Sequence, residues 1–247
     1  MVLPTARHRR SCQNLPRHRH PNGSPSMVTP TIETPVVSDT RHVIVWRFPE
    51  PVFILSSAPV GGGLSVVNWI CNVGVTSTFC DPGIDHHAHQ VADALDLDGG
   101  GATFFTAADV RLAQHATVGG VAVDATVGVT RATWAADTEE AWVPWSPGTI
   151  NMVVQVPVPL EPSAAVNAVI TATEAKVQAF IEAGVPGTGT ATDAVAICWP
   201  PGPDSAPYGG PRSPWGARLA RAAHAAVAAG LSESRPERAV SFGEFQK

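Results

Sequence analysis

The chain has 247 residues, 44% of them hydrophobic, which is enough to bury the core of one sizeable domain. Residues 1–26 contain five arginines and no carboxylate, whereas the whole chain has a net charge of −5, so the remainder is acidic. An acidic body disfavours nucleic-acid binding, because phosphate contacts need clustered lysine and arginine. The chain has no run of about 18 apolar residues, which disfavours a membrane span.

The two ends of the chain are polar and poor in core-forming residues. We expect residues 1–40 to form a disordered basic, proline-rich tail, residues 41–232 to form one domain, and residues 233–247 to form a loose tail. The N-terminus lacks the apolar segment of a secretory signal. Met27 directly follows the arginine-rich stretch, and we hypothesise that residues 1–26 come from an over-extended gene model. The intact mass of the native protein tests this hypothesis.

The first predicted elements are two strands, His42–Phe48 and Val52–Ser56, joined as a hairpin by the Pro-Glu-Pro of residues 49–51. A third strand is predicted over Val66–Val75. A helix follows, with Asp81 at its N-cap and Pro82 at its first position, and it ends near residue 95.

The next predicted strands are Ala102–Phe105, Val118–Val129 and an alternating Ile150–Val158. The clearest helix is Pro162–Ala183, because glycine and proline residues end it. Residues 131–148 are predicted to form a loop.

A strand over Ala194–Trp199 and a helix over Trp215–Ala229, ended by Gly230, complete the series. Strands and helices neither alternate strictly nor separate completely. The sequence therefore predicts a single α+β domain in which helices pack on a mixed or largely antiparallel sheet.

The cysteines and histidines do not show the spacing of a metal site. Four cysteines, at positions 12, 71, 80 and 198, form no Cys-x-x-Cys pair, which indicates reduced thiols and a cytoplasmic protein. His86, His87 and His89 lie in the predicted helix, where neighbouring side chains point in different directions. A solvated helix face is therefore favoured, and we expect no bound metal.

Glu174 and Lys176 are two residues apart in the predicted helix, so they point to different faces and do not pair with each other. Composition alone favours two solvated charges. The buried side of this helix is predicted to carry four residues: Ile170, Thr173, Val177 and Phe180.

Residues 187–193 read Gly-Thr-Gly-Thr-Ala-Thr-Asp and stand directly before an apolar strand. Asp193 could act as an acid or base there, and Thr190 and Thr192 could bind a polar substrate. The same pattern is also typical of a hydrogen-bonded Asx turn.

Two further polar turns are candidates. Asn151 offers an amide donor and acceptor. Gly61, Gly62 and Gly63 could form an anion-binding turn or only a tight one.

These segments, in this order, resemble the adenosylcobinamide amidohydrolase family. The segments that carry the resemblance are Leu55–Gly63, Thr106–Val110, Ala125–Val129, Gly148–Asn151, Thr171–Lys176 and Gly187–Asp193. The resemblance covers about residues 52–230. Its most specific part is the Thr-Glu-Ala-Lys helix followed by a Gly/Thr loop that ends in Asp193.

The resemblance implies hydrolysis of the amide that joins the corrin-ring propionate of adenosylcobinamide to aminopropanol. The products would be aminopropanol and adenosylcobyric acid, from which a cell can rebuild a cobamide. The corrinoid is then the substrate, and we expect no separate cofactor, nucleic-acid partner or membrane partner. Residues 41–232 would form the amidohydrolase domain.

Amide hydrolysis needs an activated nucleophile, donors for the oxyanion and an acid for the leaving amine. We expect Asp193 or Glu174 to be the general base for water, and Lys176 to supply positive charge or a proton. The expected substrate-binding residues are Gly61, Gly62, Gly63, Asn151, Thr190 and Thr192. A covalent route through Ser56, Ser57 or Thr192 stays open, because no feature of the sequence pairs a hydroxyl with a base.

Two other functions remain possible at this stage: a corrinoid-binding protein without catalysis, and an amidase that acts on a different amide. Trp134, Trp142 and Trp145 lie in the predicted loop. They could pack against the corrin or adenosine, or they could anchor the loop on the core.

Overall fold

The computed structural model of the protein describes residues 27–76, 79, 82–138 and 148–233. Its elements are, in chain order, β1 (Thr31–Glu33), β2 (Thr40–Ser56), β3 (Gly63–Val75), α1 (Ile84–Ala94), β4 (Gly101–Thr106), a short 3₁₀ helix (Val110–Leu112), β5 (Gln114–Val118), β6 (Val121–Val127), β7 (Ile150–Gln155), α2 (Pro162–Glu182), β8 (Ala194–Trp199) and α3 (Gly216–Glu233).

The eight strands form one mixed sheet with the order β4-β3-β2-β8-β7-β6-β5, and β1 pairs with β2. The β3–β4 and β7–β8 pairs are parallel, and the other pairs are antiparallel. This architecture confirms the predicted α+β class with a mixed, largely antiparallel sheet.

The sheet curls so that its two halves face each other. Trp46 of β2 donates its indole N–H to Asp124 of β6 at 2.9 Å, and Asn72 of β3 donates to Thr126 of β6 at 2.9 Å. β2 and β6 are not neighbours in the strand order, so these bonds cross the inner core between the two halves. The packing gives four layers: α1, one half-sheet, the other half-sheet, and the α2–α3 pair.

β2 differs from the prediction, because the expected hairpin at residues 49–51 is wrong. One strand runs through both predicted strands, and its pairing with β3 shifts between Arg47, opposite Trp69, and Val52, opposite Val67. A bulge accommodates the two prolines, which cannot donate to the ladder. The same bend allows one long strand to take part in both halves of the sheet.

The predicted strand Val118–Val129 is confirmed over β6, Val121–Val127, but its start is wrong. Gly119 and Gly120 have φ angles of 53° and 91° and form the turn between β5 and β6. Such angles are open to glycine at little cost, so the chain reverses here. The prediction missed β5.

Several element ends were predicted imprecisely. α1 begins at Ile84 with Gly83 at its N-cap, so Pro82 is not its first residue, and the predicted cap Asp81 lies outside the described residues. β7 ends at Gln155 and is buried throughout rather than alternating, because both of its faces are covered. α3 continues through Gly230, which is buried.

The predictions for α2 and β8 are confirmed. α2 spans Pro162–Glu182, and Gly184 follows with a left-handed φ of 65°.

Within the predicted N-terminal tail of residues 1–40, residues 27–40 are described and include β1, while residues 1–26 lie outside the described part. Among the described helices, none is long and apolar enough to cross a membrane.

Candidate functional site

Lys176 and Asp193 form an ion pair at the edge of the sheet where β8 begins. The Lys176 ammonium donates to Asp193 Oδ2, and the two side chains are only 8% and 15% exposed. The expectation of a solvated Lys176 is therefore wrong. A long cationic side chain is rarely this buried unless a partner holds it.

Asp193 accepts three further hydrogen bonds. The backbone N–H of Ile150, at the start of β7, donates to Oδ1 at 3.0 Å. Thr190 donates its backbone N–H to Oδ2 at 3.1 Å and its hydroxyl to Oδ1. An ionised carboxylate offers about four acceptor positions, so these four donors fix its orientation.

Gly189 permits the close approach of the pair. A Cβ atom at this position would overlap both Asp193 Oδ2 and Lys176 Nζ. The loop is also tied to a neighbouring segment, because Thr133 donates to the Gly189 carbonyl and Thr188 donates to the Thr133 carbonyl, both at 2.8 Å. The predicted polar loop of residues 187–193 thus packs closely around the Asp193 carboxylate and is held there by hydrogen bonds.

Thr192 lies next to this pair but does not contact it. Its side chain is exposed and bonds weakly to the Gly148 carbonyl at 3.4 Å, while its own carbonyl accepts the Thr149 hydroxyl at 2.7 Å. The turn before β7 and the loop before β8 are thereby joined.

Asn151 sits on the opposite face of the sheet from the ion pair, in the inner core. Its amide donates to Asn72 Oδ1 at 2.9 Å and to the Phe105 carbonyl at 3.0 Å. Asn72 in turn donates to Thr126, and all three polar side chains are buried. Asn72 and Thr126 were missed by the sequence reasoning, although each is a polar residue within an apolar strand.

The glycine turn lies beside β4. Gly61 and Gly63 have φ angles of 70° and 84°, and a Cβ on Gly61 would overlap the Gly101 carbonyl. The preceding Ser57 exchanges two hydrogen bonds with Val195 of β8, each 3.0 Å long. The turn therefore begins next to the strand that follows Asp193, although Gly61 itself packs on β4.

Glu174 is exposed on α2, as composition predicted, and it does not join Lys176. The predicted buried side of α2 is wrong at Ile170 and Thr173, which are exposed; Phe180 is fully buried and Val177 half-buried. Alanines form most of the buried face, because α2 packs closely between β8 and α3.

The histidines of α1 separate into two groups. His86 and His89 are exposed, as predicted, whereas His87 is buried against Phe79 and Phe105 and bonds to Thr40 at 2.9 Å. Within the described residues, no group of three or more potential ligands could hold a metal ion.

The predicted tryptophan loop is only partly described. Trp134 is exposed, and Trp142 and Trp145 lie outside the described residues. The packing of Trp134 therefore gives no support to the anchoring alternative.

Residues 28–239 match the family model described as adenosylcobinamide amidohydrolase. The adenosylcobinamide amidohydrolase of Halobacterium salinarum is 37% identical over 125 residues, which cover 48% of this chain and 53% of that protein. The adenosylcobinamide amidohydrolase of Methanosarcina mazei is 28% identical over 184 residues, covering 71% of this chain and 88% of that protein. Thus the chain spans about half the length of the first relative and most of the second.

The α+β domain, with its buried Lys176–Asp193 pair, lies within the region that matches a family model of amidohydrolases. It belongs to the adenosylcobinamide amidohydrolase family, as the resemblance in its sequence predicts.

Proposed function

We propose that this chain hydrolyses the amide between the corrin-ring propionate of adenosylcobinamide and aminopropanol. The products are adenosylcobyric acid and aminopropanol, and the corrinoid product can re-enter cobamide assembly. The observation that carries the proposal is the family match over residues 28–239, which contains the whole Lys176–Asp193 cluster.

The chemistry requires a base for water and an acid for the leaving amine. We assign the base to Asp193 and the acid to Lys176. All acceptor positions of Asp193 are occupied, but rotation of the Thr190 hydroxyl would free Oδ1 without moving the backbone. A water molecule could then take the place of that hydroxyl.

In this mechanism the water oxygen bonds to the amide carbon while Asp193 takes its proton. The carbon–nitrogen bond then breaks, and the amine leaves with a proton from Lys176. The proton on Asp193 returns to Lys176 through the hydrogen bond between them. Until Lys176 gives its proton to the amine, its positive charge also stabilises the developing oxyanion.

Glu174 is the second candidate base. Two residues along a helix correspond to about 200° of rotation, so its carboxylate points away from the Lys176 side of α2. It is exposed, and in the part of the chain that the structure describes no hydrogen bond or ion pair engages it. Its acceptor positions are free, but it is poorly placed to act on the same amide as Lys176.

For substrate binding, we propose that exposed Thr192 and the exposed turn of Gly61, Gly62 and Gly63 contact the peripheral amides of the corrin. Thr190 would act at the reacting amide. Asn151 is buried, so it would act by holding the start of β7, from which Ile150 donates to Asp193.

The proposal includes no cofactor beyond the corrinoid substrate, no nucleic-acid partner and no membrane partner. Turnover in the presence of a metal chelator should match turnover without it, and a loss reversed by added metal would contradict this part. The cytoplasmic location is also proposed, on the cysteine pattern; Cys71 and Cys198 are free thiols in the structure.

The decisive test incubates purified protein with adenosylcobinamide and follows aminopropanol and adenosylcobyric acid by mass spectrometry. Alanine replacement of Asp193 or Lys176 should reduce turnover by about 100-fold or more, the usual range for a lost acid or base. Near-normal turnover in folded variants of Asp193, Lys176 and Glu174 would refute the assigned roles. Tight binding without release of aminopropanol would support a corrinoid-binding protein, and cleavage at another position would support a different amidase.

A further inference from the structure

Four apolar residues, three exposed and one half-buried, form a patch on the β2–β3 hairpin. Phe53 lies opposite Val66 and Leu55 lies opposite Leu64 in the strand register, so the four side chains are neighbours on one face. Leu64 and Val66 are 58% and 51% exposed, and Phe53 is exposed as well. Large apolar side chains that cluster at the surface usually mark a binding region.

A second apolar stripe runs along α2. Val166 and Ile170 are exposed and Val177 is half-buried, and their spacings of four and seven residues place them within about 60° on the helix. α3 contacts the opposite flank of α2, where Glu182 bonds to His224 at 2.8 Å. The stripe therefore faces away from α3.

The patch and the stripe lie on the same side of the sheet. Leu55 packs against the core cluster that α2 covers, and β2 pairs directly with β8, over which α2 lies. α3 covers β5 and β6, so the flank of α2 that faces away from α3 is directed towards β2 and β3. We call this region the α2–hairpin surface and define it by Phe53, Leu64, Val66, Val166 and Ile170.

The Lys176–Asp193 pair lies on elements that also carry this surface or pair with it, because Lys176 is on α2 and Asp193 precedes β8, the partner strand of β2. Leu55 is the register partner of Ile197 on β8, four residues beyond Asp193, which is about 13 Å along a strand. On α2, Lys176 directly precedes Val177 of the stripe. A ring bound on the α2–hairpin surface would therefore reach the pair through one of its peripheral side chains, across about 13 to 20 Å along β8.

We infer that the α2–hairpin surface binds the corrin ring of the substrate, an inference that rests on the proposed function. Adenosylcobinamide carries one positive charge, because trivalent cobalt is bound by a monoanionic corrin and one carbanion ligand. Its ring edge carries methyl groups, and its hydrolysable amide is on a peripheral side chain. An uncharged apolar surface beside a buried reacting pair suits such a ligand.

Charge supports the same occupant. None of the five residues that define the surface is charged, and Glu174 lies one helical turn from Ile170 with its carboxylate exposed. The positive charge of Lys176 on α2 is neutralised by Asp193. The Glu174 carboxylate and the net negative charge of the chain attract a cationic ring, whereas they repel a second copy of this chain.

The test uses the full chain and adenosylcobinamide itself. Binding in the dark is measured by equilibrium dialysis, and turnover is measured separately by mass spectrometry. The double variant Leu64→Lys/Val66→Lys should raise Kd and KM by about tenfold or more while kcat changes little, because it removes apolar contact and repels the cation. The matched double variant with Glu at both positions should lose less affinity, since carboxylates attract the ring.

Leu112→Lys is the control, because Leu112 is 60% exposed and lies outside the surface. Its Kd and KM should equal those of the wild type, and circular dichroism checks that each variant is folded. Equal affinities of the Lys double variant and the control would overturn the inference but not the proposed hydrolysis. Binding that depends on the surface without release of aminopropanol would overturn the hydrolysis alone.

Two other results would also overturn the inference. If the Lys double variant keeps its affinity but sediments as a smaller species than the wild type, the surface is an interface between copies of the chain. If the wild type does not bind adenosylcobinamide, neither the inference nor the proposed function stands.

Discussion

Lys176 of α2 and Asp193 of the loop before β8 are 17 residues apart in the chain and form one largely buried ion pair. Asp193 also accepts the N–H of Ile150, the first residue of β7. A single carboxylate therefore joins a helix, a loop and a neighbouring strand. The pair is a structural constraint as well as the candidate catalytic centre.

Removing one member of the pair should destabilise the fold strongly. Lys176→Met leaves the Asp193 carboxylate buried without its cation, and the loss of one partner of a buried pair typically costs about 3–5 kcal/mol. Because both side chains retain slight exposure, the lower end of that range is expected. Urea denaturation at neutral pH measures the change in the free energy of unfolding.

The double variant Lys176→Met/Asp193→Asn should recover part of that loss, since no unpaired charge remains. Arg111→Ala breaks the exposed Asp109–Arg111 pair and serves as the control, with an unfolding midpoint close to that of the wild type. If Lys176→Met unfolds at the wild-type urea concentration, the pair does not stabilise the fold as described.

Gly189→Ala should separate the pair without changing either charged residue. The added methyl group would overlap Asp193 Oδ2 and Lys176 Nζ, so one of them must move. We expect about tenfold or greater loss of turnover, because small displacements of reacting groups are costly. Mass-spectrometric turnover of adenosylcobinamide measures the effect.

Gly210→Ala is the matched control, since a Cβ there meets only Asn167 Oδ1 at 3.9 Å. Its turnover should remain at the wild-type level. A folded Gly189→Ala protein with normal turnover would show that the contact between Lys176 and Asp193 is not needed for the reaction.

The sequence identified Asp193, Lys176 and Thr190 as candidates, and the structure brings these three together. Their contacts could not be predicted, because helical spacing excludes a partner within α2 but does not name one from another element. Without an identified partner, Lys176 was predicted to be solvated, as charged side chains usually are. Asn151 was also a candidate, but its strand turns the side chain to the inner core, towards Asn72.

Local patterns predicted α2 and β8 well, because these two elements have clear ends in the sequence. They failed at residues 49–51 and at Gly230. Two prolines normally end a strand, but pairing with β3 on both sides of the bulge keeps β2 continuous. Gly230 resembles a helix end in sequence, although packing against β6 keeps it inside α3.

The buried thiols should be inert in the native protein. Burial raises the pKa of Cys71 to about 12 and raises the pKa of Cys198 still further above its usual value, so neither forms thiolate at pH 8. In a Cys12→Ser/Cys80→Ser background, a disulfide reagent at pH 8 should label no thiol without denaturant and two with it.

These raised pKa values also set the sign of a pH effect on stability. The unfolded chain releases its thiol protons at lower pH than the folded chain, so stability should fall as the pH rises above about 8.5. Urea midpoints at pH 8 and pH 10 measure the fall, which replacement of both buried cysteines by alanine should reduce. Rapid labelling of the native protein would contradict the burial of both thiols.

Gly230→Ala should destabilise the protein, although alanine favours a helix over glycine by about 1 kcal/mol. A Cβ at this position would lie 2.6 Å from Val127 Cβ, so the close contact between α3 and β6 leaves no room for it. Overpacking of this kind typically costs about 1–3 kcal/mol, which offsets the gain in helix propensity. The midpoint of thermal unfolding should therefore fall, and the fall caused by Gly230→Ala should be smaller in a Val127→Gly background, because glycine has no Cβ to overlap the added methyl group. A rise in the midpoint for Gly230→Ala alone would mean that helix propensity, rather than contact with Val127, governs this position.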